Sequence, residues 1–320
     1  MREYGGYLEI EHNDYGSYYP DMVALNTGRN CLRYLIEAKD IRHIYIPRFI
    51  CEVIIDACKM ENVEIDFYSI DERFMPKDIE IKDKDAYLYL INYYGLLDEN
   101  AIRKLAEKYH IIVDNAQAFF QEPLEGIDTI YTCRKFFGVS DGAYLSTDVI
   151  VNRKLEKDIS YDRMAYLFGR IDTCASEFYE KFQENEQELV NKEVLYMSNS
   201  TKAILSLVGY EAVKERRTEN FRELDDLLFK YNKLRNMKRI IGPYMYPLLI
   251  ENGEKLRRYL QKSRIYIPVL WPNVLETELE ESYEYYLAKN ILPIPCDQRY
   301  DQDDMRYIAT VIKKFMEVQE

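Results

Sequence analysis

The chain has 320 residues, enough for one large domain and a smaller one. Hydrophobic residues make up 47% and charged residues 31%, with only 12 Gly and 10 Pro, which excludes collagen-like, low-complexity and largely disordered proteins. The 56 acidic and 43 basic side chains give a net charge of −13, which would repel a nucleic-acid backbone, and no basic stripe offsets it.

The chain carries no pattern of a secreted or membrane protein. Its first residues, MREYGGYLEIEHNDYG, have charges where a signal peptide needs an apolar core, and no run of about 18 apolar residues occurs. The 6 cysteines are scattered without a CxxC pair. A chain of this size needs no disulfides to fold, so reduced thiols are the simplest interpretation. We therefore expect a cytoplasmic protein with small-molecule partners and no membrane or nucleic-acid partner.

Short β-branched or aromatic runs alternate with amphipathic stretches from residue 26 to residue 147. This alternation is typical of βα units around a mostly parallel sheet. Helices are predicted at 28–39, 49–61 and 98–109, the last with Asp98 as its N-cap. The predicted strands are 43–47, 63–69, 86–92, 110–114, 128–132 and 143–151.

The remainder of the chain predicts a second, smaller unit. Charged, helix-prone segments cover 153–190 and 199–236, with few turn residues until Gly242 and Pro243. The pattern then predicts, in order, a strand at 244–250, a helix at 253–263, a strand at 264–270, an acidic segment, an apolar run at 291–295 and a helix at 302–317. We predict a large α/β domain over 1–205 and a C-terminal α+β domain over 206–320 that includes the connecting helix.

Polar residues that directly follow the predicted strands are the first candidates for a site, because ligands bind beyond the carboxyl ends of parallel strands. Gly28 and Arg29, after Thr27, open the first helix, whose free amides and partial positive charge suit a phosphate. Asp114 ends the strand HIIVD and could hold a cation or a protonated ring nitrogen. Both features also have an ordinary explanation, the capping of a helix.

Lys135 follows the strand 128–132, directly after Arg134 and before two phenylalanines. The like charge of Arg134 and the aromatic surroundings favour the neutral amine that Schiff-base chemistry requires. Taken alone, a loop lysine is usually solvated and inert. A helix start, an aspartate and a lysine in this order, each at a strand end, favour one shared site.

This order is found in fold-type I pyridoxal-phosphate (PLP) enzymes, and the chain resembles the DegT/StrS sugar aminotransferase family in its short-chain branch. The resemblance implies a large PLP-binding α/β domain with a mostly parallel sheet, a smaller C-terminal α+β domain, and PLP as cofactor. The matching segments run in the same order over nearly the whole chain: GGYLEIE, ALNTGRNCLRYLI, IPRFICEVIIDAC, INYYG, IIVDNAQAF, RKFFGVSDGAYLST, VLWP and ILPIPCDQRY.

The resemblance also implies two catalytic residues. Lys135 matches the lysine that forms the Schiff base, because the acidic residue and glycine of the family pattern follow it as Asp141 and Gly142. Asp114 matches the aspartate that pairs with the pyridine nitrogen and keeps the ring protonated, so that the ring can accept electrons.

Four further positions match cofactor-binding residues of the family. Gly28 and Arg29 match the backbone amides that receive the phosphate, and Thr132 matches a hydroxyl that also reaches it, at a shorter interval from the lysine than in many relatives. Gln117 matches the position beside the phenolic oxygen of the ring. The resemblance thus implies a site of six residues in the first half of the chain.

Two segments depart from the family pattern. Cys51 stands where many members have an aromatic residue that stacks on the ring, with Phe49 nearby, and the Asn-x-Arg-Met element of a neighbouring subunit is replaced over 194–198. A non-catalytic or regulatory protein on the same fold therefore stays an alternative. Sugar dehydration is a second alternative, which Lys135 disfavours because dehydrating relatives typically carry histidine there.

The function implied is a PLP-dependent transfer of an amino group, from glutamate, to a keto-sugar. The sugar would be nucleotide-linked and would serve polysaccharide or secondary-metabolite biosynthesis, and the resemblance implies a homodimer. We expect no metal, since His12, His43 and His110 are far apart without ligands at metal-binding spacing. Arg216 and Arg217 lie among glutamates and predict a solvated, ion-paired helix face.

Overall fold

The structure is a computed structural model that describes residues 4, 6–12, 16–235, 237 and 240–319. Two predictions touch positions beyond these. Gly5 opens the GGYLEIE segment, and residue 236 ends the predicted helical stretch 199–236; both lie outside the described residues.

A sheet of seven strands forms the centre of the larger unit, in the order β1-β7-β6-β5-β4-β2-β3. The five strands β2 to β6 run parallel, whereas β7 is antiparallel to its neighbours β6 and β1. The predicted α/β class with a mostly parallel sheet is therefore confirmed. The strands are β1 (Val23–Leu25), β2 (His43–Pro47), β3 (Glu64–Tyr68), β4 (Tyr87–Ile91), β5 (His110–Asp114), β6 (Asp128–Thr132) and β7 (Ala143–Ser146).

Three helices lie in the connections between these strands: α1 (Gly28–Lys39), α2 (Glu52–Met60) and α3 (Glu99–Ala106). Helix α1 begins where Thr27 caps it, with the Asn30 amide donating to the Thr27 hydroxyl at 3.2 Å. Helix α3 begins at the predicted cap, since the Ala101 amide donates to the Asp98 carboxylate at 3.0 Å. Both caps fix the exit of the chain from a strand, and so the place where each helix starts.

The helical stretches predicted downstream are interrupted. The chain forms α4 (Ala165–Asp172), α5 (Tyr179–Val190), α6 (Asn199–Ser206) and α7 (Tyr210–Leu228). Gly209 lies in the short break before α7. The strand predicted at 143–151 is also shorter than expected. It ends at Ser146, and the Thr147 hydroxyl donates to Asp128 at 2.6 Å.

The C-terminal unit contains two antiparallel strands and four helices. They are β8 (Tyr246–Leu249), α8 (Gly253–Lys262), α9 (Val274–Thr277), α10 (Tyr283–Asn290), β9 (Ile291–Ile294) and α11 (Gln302–Gln319). The strand predicted at 264–270 is wrong. That segment is irregular, and Arg264 and Trp271 adopt left-handed φ values of 57° and 60° that no strand tolerates. Its apolar alternation is instead explained by Ile265 and Ile267, which bury their side chains in the core of this unit.

A cluster of aromatic side chains fills the space next to the carboxyl end of β6. It contains Phe119, Tyr131, Phe136, Phe137 and Tyr144, all buried. Close-packed rings restrict the backbone that carries them. The turn after β6, which contributes Phe136 and Phe137 to the cluster, is therefore rigid. No helix within the described ranges is long and apolar enough to cross a membrane.

Candidate active site

Lys135 lies in a tight turn just beyond β6. The amides of Phe136 and Phe137 both donate to the Cys133 carbonyl, at 2.9 and 2.8 Å, so the backbone turns sharply around the lysine. The Lys135 side chain is exposed, while Cys133 and Phe136 on either side are buried. Its Nζ lies 5.6 Å from the centre of the Tyr244 ring, close enough for a cation–π contact. The sequence therefore presents one amine on a rigid turn.

Asp114 is a buried carboxylate at the end of β5. Its Oδ2 accepts from the Tyr89 hydroxyl at 2.8 Å, and its Oδ1 accepts from the Ala116 amide at 2.8 Å. Burial raises the pKa of the Asp114 carboxyl, while the positive charge of Lys135 and the two hydrogen bonds act in the opposite direction. The charge of Lys135 thus acts on Asp114, although no basic side chain of the described chain forms an ion pair with this carboxylate.

The start of helix α1 lies against the end of β6. A Cβ added to Gly28 would lie 3.8 Å from Ile130 and 3.9 Å from Thr132, an ordinary packing distance. Within the described residues, the amides of Gly28 and Arg29 donate to no acceptor. Free amides at the start of a twelve-residue helix, next to a threonine, form a position suited to a phosphate.

The side chains of Arg29 and Gln117 have structural partners of their own. Arg29 donates from Nη1 to the Val190 carbonyl at the end of α5, at 3.0 Å, and its burial lowers the pKa of the guanidinium. Gln117 is buried and its Oε1 accepts from the Tyr94 amide at 2.9 Å. The Arg29 side chain is therefore engaged with α5, and its backbone amide is the part of the residue that could bind a phosphate. Gln117 is held next to the segment that follows β4.

The carboxyl edge of the sheet brings four of the predicted residues to one side of the molecule, namely Gly28, Asp114, Thr132 and Lys135. Strands β5 and β6 are parallel neighbours with Asp114 opposite Ile130, so Asp114 and Thr132 end at the same edge. Lys135 follows Thr132 within one turn, and Gly28 contacts this end of β6. Parallel sheets of this class bind ligands beyond the carboxyl ends of their strands.

The residues at the two departures from the family pattern, Cys51 with nearby Phe49 and the segment 194–198, both make contacts within this chain. Phe49 is fully buried, with its ring centre 5.4 Å from that of Tyr93 and 4.4 Å from that of Trp271, so it packs within the protein. Cys51 is half-buried at the start of α2. The ring-stacking residue therefore stays unassigned.

The segment 194–198 is bound to its own chain. Val194 is buried in the core, and the Met197 amide donates to the Ala24 carbonyl of β1 at 3.0 Å. Asp141 accepts from the amide and hydroxyl of Ser198, at 2.9 and 2.8 Å, and from the Thr201 hydroxyl. The acidic residue after Lys135 thus fixes the start of α6.

Sequence reasoning missed two residues of the site, Tyr244 and Arg217. Tyr244 precedes β8 and is more than a hundred positions from Lys135, with no local pattern to mark it. Arg217 was predicted to lie on a solvated face, which is wrong: it is buried, while Arg216 is exposed. The signal was present, since Arg217, Phe221, Leu224 and Leu228 repeat at helical spacing and share the buried face of α7.

The three histidines make separate contacts, and His12 Nδ1 lies 3.5 Å from the Ile10 carbonyl oxygen. His43 lies 3.1 Å from both Asp66 and Asp83, at the amino end of β2, and His110 stacks on Tyr87. Across the described ranges, no three His, Cys, Asp or Glu side chains are grouped so that they could hold a metal ion.

Comparison with solved structures gives the same fold. A DegT DnrJ EryC1 StrS aminotransferase from Brucella abortus superposes with a TM-score of 0.63 at 18% identity, covering 92% of this chain and 85% of that one. The chain has the fold of these aminotransferases. PseC from Helicobacter pylori, an aminotransferase of pseudoaminic acid biosynthesis, superposes with a TM-score of 0.64 at 14% identity, covering 93% and 87%.

A third solved structure is that of a PLP form. A protein of Streptococcus pneumoniae assigned as a sugar aminotransferase, in its PLP form, superposes with a TM-score of 0.63 at 14% identity, covering 92% of this chain and 88% of that one. No protein-family model and no curated protein matches the sequence. At these identities the likeness is one of fold.

Proposed function

We propose that the protein is a PLP-dependent aminotransferase that moves an amino group from glutamate to a keto-sugar. The sugar would be nucleotide-linked and would serve polysaccharide or secondary-metabolite biosynthesis. The observation that carries the proposal is the placement of Lys135 and Asp114. Strands β5 and β6 are parallel neighbours, so the buried carboxylate that ends β5 and the amine that follows β6 lie at the same edge of the sheet. The shared fold with sugar aminotransferases supports the substrate class.

Three features support the cofactor. Asp114 is a buried carboxylate that lacks an ion-pair partner among the described residues, and a protonated ring nitrogen would supply one. The free amides of Gly28 and Arg29, with Thr132 alongside, suit its phosphate. Lys135 presents an amine without a hydrogen-bond or ion-pair partner in the described chain, as covalent attachment to an aldehyde requires.

Each residue then has a defined task. PLP, when bound, supplies an electron sink for the carbon that loses its proton. Lys135 would hold the cofactor, and its Nζ, the basic atom on the turn, would take up and release the proton. Asp114 would keep a positive charge at the ring nitrogen, and the start of α1 would hold the phosphate in place. Gln117, whose Oε1 accepts from the Tyr94 amide, would be the residue beside the phenolic oxygen of the ring.

Glutamate should convert the PLP-loaded protein in a single half-reaction. We expect loss of the visible absorbance band and release of about one equivalent of 2-oxoglutarate per site. Alanine and lysine, added separately, serve as control donors. A protein that keeps its band with every donor would instead support the alternative raised by Cys51 and Val194, a non-catalytic protein on this fold.

We propose that the protein is a homodimer. Large apolar side chains are exposed between residues 150 and 171: Ile150 is 82% exposed, Tyr161 72% and Phe168 45%. These three also line a groove of about 1220 Å³ next to Tyr34 and Tyr196. Exposed apolar side chains grouped around one groove favour a protein interface, and closed two-fold pairs are the commonest assembly.

Charges placed in this groove should separate the subunits. The double variant Ile150→Glu/Phe168→Glu is expected to run as a monomer in light-scattering chromatography, because two buried carboxylates per subunit would be unpaired. Leu279→Glu, at a side chain that is 76% exposed and outside the groove, is the matched control and should stay dimeric. A groove variant that remains a dimer would show that this face is not the interface.

The cysteines support a reducing compartment. All six are free thiols, and Cys31, Cys58, Cys133 and Cys296 are buried. Unpaired thiols persist where glutathione and thioredoxin keep them reduced. We therefore propose that the protein acts in the cytoplasm.

A further inference from the structure

Arg217, on helix α7, is a buried cation. Its side chain is 2% exposed, and it forms no ion pair within the described parts of the chain. Burial lowers the pKa of the guanidinium, while the charge of Asp297 acts in the opposite direction. Taking a cation out of water is costly unless its hydrogen bonds are all replaced, so the contacts of this side chain indicate what it does.

The guanidinium donates to four acceptors from three separate segments. Nη2 donates to the Phe136 carbonyl at 3.1 Å, Nη1 to the carbonyls of Pro243 and Tyr244 at 2.9 and 3.2 Å, and Nε to Gln298 Oε1 at 2.7 Å. The Cζ atom of Arg217 also lies 4.7 Å from the centre of the Phe136 ring. The planar fork of arginine can satisfy such a set, whereas the single ammonium of lysine cannot.

Two of these acceptors adjoin the reactive amine. The Phe136 carbonyl belongs to the residue directly after Lys135, and the Tyr244 ring is the surface over which Lys135 Nζ lies, at 5.6 Å. Gln298 strengthens the same link, since its Nε2 donates to the Phe136 carbonyl at 2.8 Å. One guanidinium therefore fixes both the turn that carries the lysine and the segment that carries its aromatic neighbour.

We propose that Arg217 is a positioning residue that sets the geometry of Lys135 by joining its turn to the Tyr244 segment. This inference rests on the proposed function for its consequence, but the link itself is a property of the free protein. Arg217 does not touch the reacting atoms. It acts through the backbone at Phe136 and Tyr244, so that the amine is held in one place before any ligand arrives.

The test compares Arg217→Met with Arg216→Met, the exposed neighbour on the same helix. Hydrogen exchange of the free proteins, read by mass spectrometry, should be at least about tenfold faster in the Arg217 variant for peptides covering 133–138 and 242–246. Peptides from β2 should be unchanged. With PLP added, the Arg217 variant should bind about 10- to 100-fold more weakly and lose most of its visible circular dichroism. Arg216→Met should match the wild type in all three measurements.

The outcomes separate this inference from the proposed function. Wild-type exchange and affinity in a folded Arg217→Met protein would overturn the positioning role. If that variant fails to fold, Arg217→Lys keeps the cation but cannot donate to all four acceptors, and unchanged exchange of the same two peptides in this variant would overturn the positioning role. If the wild type binds no PLP at Lys135, the proposed function fails, while the exchange comparison still decides whether Arg217 holds the turn.

Discussion

Replacement of Lys135 by alanine is expected to lower amino-group transfer at least about 10³-fold, because the variant loses both the covalent attachment point and the proton carrier. The side chain is exposed, so the fold should not suffer, and the thermal unfolding midpoint should stay near that of the wild type. The measurement is the rate of 2-oxoglutarate release from glutamate with an excess of added PLP.

Lys154→Ala is the matched control for this substitution. Its side chain is 87% exposed and its ion pair is with Glu156, away from β6, so the variant should keep full activity. A Lys135→Ala protein that retains more than about a tenth of wild-type turnover would remove Lys135 from the mechanism.

Replacement of Asp114 by asparagine is expected to slow the reaction about 10²- to 10³-fold while making the free protein more stable at neutral pH. The loss of rate follows because a neutral amide cannot keep a positive charge at the ring nitrogen. The gain in stability follows from the burial that raises the pKa of the Asp114 carboxyl. A buried acid of raised pKa destabilises the folded state once it is ionised.

The sign of the pH dependence is fixed by that direction. Below the pKa of an unfolded aspartate, about 4, the carboxyl is protonated in both states and the variant should be no more stable than the wild type. As the pH rises through and above this value, the free energy of unfolding of Asp114→Asn should exceed that of the wild type by a growing margin, until Asp114 is ionised in the folded state as well. Urea titrations of both proteins between pH 3.5 and 8 would measure this difference in the free energy of unfolding. A variant that is less stable at pH 7 would show that the carboxylate has a cation partner in the free protein.

The parallel core of the fold could be predicted because its strands are short, apolar and separated by amphipathic helices. Two other segments could not be predicted correctly. Strand β1 has three residues, too few for a period to be seen, and the segment 264–270 alternates apolar side chains without pairing as a strand. The boundary placed between residues 205 and 206 stays a prediction. Helix α7, which follows it, packs its buried face into the C-terminal core.

The candidate site also contains residues that could be predicted from the sequence and residues that could not. The place of Asp114, Thr132 and Lys135 at the carboxyl edge of the sheet could be predicted, because the first two end strands and Lys135 follows one. Their roles stay predictions. Tyr244 and Arg217 reach the site from segments far along the chain, and only the fold brings them to Lys135. Long-range contacts of this kind leave no local trace beyond the helical spacing that marks Arg217 as buried.

The most direct test of the account is to identify the residue that PLP modifies. Wild-type protein is incubated with PLP, reduced with borohydride and digested, and the peptides are analysed by mass spectrometry. We predict one phosphopyridoxyl group per chain, on Lys135, accompanied by the loss of a visible band that Lys135→Ala never shows. Label on several surface lysines, or the same labelling in Lys135→Ala, would contradict the assignment of Lys135 and with it the proposed aminotransferase.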